Sequence, residues 1–168
     1  MPWKGMTREG QVGSTPTPSA MENHVVKGVD FIGIAVAFFC HDGKGNVLMS
    51  KRSVNARDEH GKWDIGAGGI EFGQTVEETL QKEIKEEYCT DIVKAEFLGY
   101  RTVLREIYGQ NTHWIMFDFK VQVKPEMVKN GEPHKFESVD WFDINKIPGD
   151  AHSQIPNFIK LYRHKLFS

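Results

Sequence analysis

Between residues 31 and 40 apolar side chains follow one another almost without a break, Phe-Ile-Gly-Ile-Ala-Val-Ala-Phe-Phe-Cys. A run of that length fits a strand buried on both faces. Residues 41–46, His-Asp-Gly-Lys-Gly-Asn, read as a turn and 47–52 as a second strand, which predicts a hairpin. A polar stretch, 53–62, leads to Trp63-Asp64-Ile65 and then to the glycine-dense segment 66–69, read as a flexible loop. Thr75 followed by Glu78 has the form of a capping box, and Val76, Leu80, Ile84 and Tyr88 make an apolar stripe. The spacing predicts a helix over 75–88. Beyond it, 94–107 and 113–123 are β-branched and aromatic, joined across Tyr108-Gly109-Gln110-Asn111, and predict a second hairpin. A short strand is predicted at 136–142. From Gln154 through Ile155, Phe158, Ile159, Tyr162 and Leu166 the apolar positions recur at helical spacing. The pattern predicts an α/β domain, a mixed sheet covered by helices on both faces.

Length and charge narrow the classes of function. The chain has 168 residues, 39% of them hydrophobic and 26% charged, the size and balance of one folded domain. A net charge of -2 supplies no bulk positive field for nucleic acid or an anionic membrane. No apolar run approaches the ~18 residues of a membrane span. Cys40 and Cys89 are too few for a disulfide framework and form no C-x-x-C pair, so a reducing, cytoplasmic setting is expected. Residues 1–24, rich in Gly, Pro, Ser and Thr, are expected to be a flexible tail before a domain spanning 25–168.

The chemistry concentrates on the predicted central helix. Glu83, Glu86 and Glu87 stand at i, i+3 and i+4, within one arc of about 100°. Like charges so spaced each cost a helix roughly 0.2–0.5 kcal/mol, so a positive partner is required. Lys82 and Lys85 could supply it on a solvated face. Alternatively, an oxygen-only donor set without His or Cys suits Mg²⁺ or Mn²⁺ rather than Zn²⁺. The Gly68-Gly69 segment directly ahead of the helix permits close backbone approach to a metal or phosphate, which favours the second reading.

At this point residues 68–90 resemble the Nudix hydrolase box, G-x(5)-E-x(7)-R-E-U-x-E-E-x-G-U with U a bulky aliphatic. Gly68, Glu83, Ile84, Glu86 and Glu87 match; Gln74, Lys82, Cys89 and Thr90 depart from it. Trp63, Gly73, Lys51-Arg52, and Glu137 ahead of Trp141-Phe142 sit where many Nudix domains carry similar residues. The resemblance implies an α/β/α sandwich, its mixed β-sheet flanked by the box helix and a C-terminal helix. It also implies divalent-metal-dependent cleavage of a diphosphate linkage in a nucleoside diphosphate derivative: a nucleoside triphosphate, a nucleotide sugar or ADP-ribose. Carried over by position, Glu83, Glu86 and Glu87 are the metal-binding and catalytic glutamates, with Glu83 or Glu86 as general base. The Ala67 or Gly68 carbonyl is a backbone metal ligand, and Glu137 completes the metal shell from a loop. Arg52 and Lys51, with Arg57, are phosphate-holding candidates; Gly69 and Glu71 are further substrate contacts.

The implied partner is a small nucleotide; the family often dimerises, so a homodimer is compatible with the resemblance. Phe31, Tyr100, Tyr108 and Trp114 are the aromatics available to stack on a base. A competing reading is a degenerate, non-catalytic module that senses a nucleotide, motivated by Gln74, Lys82 and Cys89; retention of all three glutamates argues against it. A resemblance to isopentenyl-diphosphate isomerase, prompted by Trp63-Asp64, fails because neither cysteine has the required Cys/His context.

Overall fold

The computed structural model describes residues 25–167, so the expected tail at 1–24 lies outside the described residues. Nine principal elements follow in chain order: β1 (Gly33–His41), β2 (Asn46–Arg52), β3 (Trp63–Asp64), β4 (Gly66–Gly69), α1 (Val76–Tyr88), β5 (Ile92–Ile107), β6 (Gln110–Val123), β7 (Phe136–Asp143) and α2 (Ile155–Leu166). All seven strands belong to one mixed sheet. β1 runs parallel to β6 in register from Gly33–Trp114 to His41–Gln122, and β5 and β6 form the long antiparallel hairpin expected around Tyr108-Gly109.

The first hairpin opens immediately. β1 and β2 are paired at His41–Val47, and the turn between them is tied by Asp42, whose carboxylate accepts from the Lys44 and Asn46 amides. Beyond that point the free edge of β1 is taken by β4, antiparallel, with Ala35 opposite Gly69 and Phe38 opposite Gly66. The glycine-dense segment is therefore a strand rather than a loop. Glycine suits it because the ring of Phe38 lies where a Cβ on Gly66 would sit. β2 turns away to pair with β3 and β7.

Alternation along β1 divides the core in two. Val36, Phe38 and Cys40 face α1 and pack with Leu48, Val121, Leu80, Ile84 and Tyr88. Ala37 and Phe39 face the other way and pack with Val47, Met49, Ile155, Phe158, Tyr162 and Leu166. The two helices thus cover opposite faces, as the patterning requires. Thr75 caps α1 as expected, its hydroxyl accepting from the Glu78 amide while the Glu78 carboxylate accepts from the Thr75 amide at 2.9 Å. Among the described residues no helix is long and apolar enough to cross a membrane.

Candidate active site

The stripe Leu80, Ile84 and Tyr88 holds α1 against the sheet, and this fixes the azimuth of the glutamates beside it. Glu87 goes inward and is 1% exposed; Glu83 is partly covered and Glu86 faces solvent. Glu83 lies directly over Gly68: a side chain on Gly68 would run into the Glu83 carboxyl group. The glycine strand and the acidic helix are therefore in contact at the pair of residues that the sequence motif singles out.

A segment with no recognisable motif completes this corner. Lys129 and Gly131 donate their amides to the Tyr88 and Glu87 carbonyls, both at 3.0 Å, satisfying acceptors that the end of α1 would otherwise leave open. Gly131 has no alternative, since a Cβ there would strike the Glu86 carbonyl oxygen. Docked in this way, the segment delivers Lys135, whose Nζ donates to Glu87 Oε1 at 2.7 Å and to Glu132 at 3.0 Å. Glu87 Oε2 has no hydrogen-bond partner and is fully enclosed. Burial pushes the Glu87 carboxyl up to about 8, against the pull of Lys135. Burial also raises Glu83, and the neighbouring charge of Glu86 adds to it. Lys135 is itself raised because Glu87 and Glu132 outweigh the cost of its burial.

As the side chains stand, no three His, Cys, Asp or Glu among the described residues are gathered closely enough to hold a metal. The donor chemistry fits one nevertheless: a buried carboxylate with an unpartnered oxygen, a second carboxylate against a bare backbone strand, and a third at the surface, all hard oxygen.

The departures from the box have local partners. Lys82 pairs with Glu71 at 3.2 Å, while Gln74 Oε1 accepts from the Thr79 hydroxyl at 3.1 Å. Glu71 thus carries the carboxylate that pairs with Lys82, at the surface. Cys89 ends the helix with φ 55° and ψ 22°, the left-handed conformation for which the box normally carries glycine.

On the face of the sheet covered by α2 a cavity of about 290 Å³ opens, and Gly68, Gly69 and Lys135 are among the residues that line it. Its apolar lining includes Ala35, Ala37, Met116 and Phe158. Arg52 lines it, but its fork is committed: Nε to the Asp58 carbonyl, the terminal nitrogens to Asp58 and Asp64. Asp58 is also paired with Arg105, and against the burial that would raise it, Arg52 and Arg105 hold it below the usual carboxylate range. Arg105 continues to Glu59, which receives the Ser153 amide and hydroxyl. His152 closes this network, its Nε2 3.3 Å from Glu59.

Lys51 lies elsewhere, loosely paired at 3.7 Å with Glu137, near the irregular end of the β2–β7 ladder. Of the aromatics available for stacking, Trp114 lines the cavity; Phe31, Tyr100 and Tyr108 are exposed and do not. Sequence reasoning passed over Lys135, Arg101 and Asp118. Only Asp118 carried a signal, a charge set between Phe117 and Phe119 in an otherwise apolar strand. Arg101 meets it from β5 through two hydrogen bonds, 2.6 and 3.0 Å, and Tyr162 of α2 donates a third.

The NUDIX domain family profile matches residues 32–162. Among curated relatives, "Putative nudix hydrolase 1" of Caenorhabditis elegans is 27% identical over 121 residues, covering 71% of this chain but 30% of that protein. An RNA pyrophosphohydrolase of Acinetobacter baylyi is 26% identical over 125 residues, covering 66% of this chain and 70% of the relative. A MutT NUDIX hydrolase from Burkholderia pseudomallei superposes with a TM-score of 0.68 at 19% identity, over 78% of this chain and 98% of its own. The NUDIX domain of Shewanella oneidensis NrtR, solved with ADP ribose, gives 0.63 at 14% identity, over 88% and 94%. At these identities the structural likeness is one of fold.

Proposed function

Because the chain belongs to the NUDIX domain family, we propose that it is a divalent-metal-dependent pyrophosphohydrolase cleaving the diphosphate linkage of a nucleoside diphosphate derivative. The observation that carries this reading is the pairing of Glu83 with the bare Gly68 backbone beside a buried Glu87 whose Oε2 has no partner. Glu83, Glu86, Glu87 and the Gly68 carbonyl would hold Mg²⁺ or Mn²⁺, with Glu137 as an outer contributor. When bound, such an ion neutralises phosphate oxygens and acidifies water.

The chain's own residues have separable tasks. Glu83 or Glu86, whichever is less engaged with the metal, takes the proton from the attacking water. Lys135 borders both Glu87 and the cavity, where it offers an ammonium to the phosphate chain. Gly69 gives the phosphates access to backbone. Arg52 acts from its ion-pair network by keeping the cavity wall rigid, and Lys51 and Glu71 act at the periphery. A cytoplasmic setting is part of the same proposal, supported by two free thiols, Cys40 and Cys89.

Retention of Glu83, Glu86 and Glu87 argues against the non-catalytic sensor reading. The deciding experiment is a Mg²⁺/Mn²⁺ screen against nucleoside triphosphates, nucleotide sugars, dinucleoside polyphosphates and ADP-ribose, scoring released phosphate or monophosphate. Turnover abolished by Glu83→Gln is expected. Failure to turn over any of them, with folded protein and both metals, refutes the proposal; nucleotide binding without turnover supports the sensor.

A further inference from the structure

α1 covers only part of its side of the sheet, and the cover thins from β1 outward. In one row across the strands Phe38 and Phe119 are buried while Phe97, on β5, is 51% exposed. In the next row Val36 is buried, Phe117 is half-buried and Tyr100 is 69% exposed. Beyond them Ile34 is exposed on β1 itself, and Leu104, opposite His113 on the same side, is 68% exposed. The Phe97 ring lies 5.4 Å from that of Phe119 and 6.2 Å from that of Phe117, so this outer surface is continuous with the core beneath α1.

The charged residues of both strands point the other way. Arg101 and Asp118 meet beneath Tyr162 of α2, Arg105 joins Asp58, and Lys120 reaches the Lys165 carbonyl on α2. From Ala95 to Leu104 on β5 and from His113 to Val123 on β6, the α1 side carries no Lys, Arg, Asp or Glu. Aromatic side chains carry about 150–250 Å² each, so Phe97 and Tyr100 alone present roughly 200 Å². Leu104 and Ile34 bring the apolar centre to roughly 400 Å², the size at which a patch marks an interaction surface. That is half of the ~800 Å² that each partner covers in a stable complex, and Ala95, Thr102, His113 and Ile115 surround it on the same side.

The absence of charge indicates the occupant. A charge-free face complements itself, because two copies related by a two-fold axis set apolar rows on apolar rows and bring no like charges together. A lipid surface would be met by Lys or Arg around the apolar residues, and this face has none. Gly28 lies against Trp114, which lines the α2-side cavity, so the described chain starts on the opposite side of the sheet.

We propose that the exposed β5–β6 face is the docking surface for a second copy of this chain, forming a two-fold dimer in which sheet packs on sheet about 10 Å apart. β5 is the end strand of the sheet. With the axis along the strands, each α1 therefore comes to lie beside the partner's free β5 edge rather than on top of it. The candidate active sites stay outside the contact, since Glu83 lies over β4, on the edge of β1 opposite to β6.

Sedimentation equilibrium of the full chain in EDTA, over about 1–100 µM, tests this. A mass twice the 19.2 kDa of the chain is expected at the upper end. Tyr100→Glu and Leu104→Glu, both at exposed positions, place carboxylates from the two copies in one apolar contact and should each weaken association at least about 100-fold. Thermal melts of the dilute variants confirm that they fold. Leu161→Glu, at an exposed apolar position of α2, should leave association unchanged. A parent protein that stays monomeric at about 100 µM overturns the inference. So does a dimer that neither β5 variant weakens, or one that Leu161→Glu weakens equally. A monomeric parent that binds phosphatidylcholine vesicles gives the face to lipid instead, and one that binds no ANS gives it to the chain's own residues; either overturns the dimer.

Discussion

Glu87→Gln should make the metal-free protein more stable. The carboxyl group is enclosed, its folded pKa is pushed up to about 8 from an ordinary 4.5, and Lys135 only partly offsets the burial. A folded pKa above the unfolded one means that the folded state binds the extra proton. The stability that this proton contributes is complete below pH 4.5 and is lost as pH rises toward 8. At ~1.36 kcal/mol per unit, the ionised carboxyl costs about 3 kcal/mol at pH 7, approaching about 5 kcal/mol above pH 8. Glutamine reproduces the protonated form, keeps an acceptor for Lys135 and carries no charge. The expected gain at pH 7 is therefore ~3 kcal/mol, or about 6–12 °C in Tm at this chain length, shrinking to nothing near pH 4. Thermal melts of both proteins in EDTA from pH 4 to 9 measure it. Added Mg²⁺ should raise the Tm of the parent protein and not of the variant. A variant as stable as the parent at every pH, or less stable at pH 8, refutes the reasoning.

Four other substitutions probe separate parts of the argument. Gly68→Ala puts a methyl group into the Glu83 carboxyl, which can swing away, so Tm should change little while turnover falls about 100-fold and Mn²⁺ binding weakens in EPR titration. Cys89→Gly relieves a left-handed residue worth about 1–2 kcal/mol but adds about 0.5–1 kcal/mol of chain entropy; a net gain of about 0.5 kcal/mol in urea denaturation is expected. Arg101→Met leaves Asp118 buried without its cation and should cost about 3–5 kcal/mol in the same assay, whereas Lys51→Met, at an exposed pair, should cost less than about 1.

Elements whose determinants are local were legible from the chain. The capping box of Thr75 and Glu78, the stripe ending at Tyr88 and the turn at Tyr108-Gly109 specify their own neighbourhoods and emerge nearly as read. The segment 66–69 was misread because glycine carries no side-chain pattern, and its strand character comes entirely from lying along β1. The candidate site divides in the same way. Glu83, Glu86 and Glu87 announce themselves by spacing on one helix. Lys135 sits far from them in the chain and reaches Glu87 only because backbone bonds from Lys129 and Gly131 moor its segment to the end of α1. Arg101 and Asp118 belong to one hairpin and meet diagonally, Asp118 lying opposite Gly99 and Arg101 opposite Met116 in the register that runs from the turn. That diagonal contact leaves no trace in hydrophobic periodicity.

The parallel seam between β1 and β6 bears on how the molecule is made. β1 is synthesised early and can recruit β4 and α1 as they emerge, yet its other edge stays unfilled until the chain has run through Val123. Residues 35–40 are all buried in the finished protein, so a nascent chain halted before Gln110 presents an apolar strand with one row of open amides and carbonyls. The β5–β6 hairpin, closing locally around Gly109, can form first and arrive as a unit. Folding is then limited by docking that ready-made hairpin onto a strand that has waited for it, the interval in which the chain is most open to pairing with a neighbour.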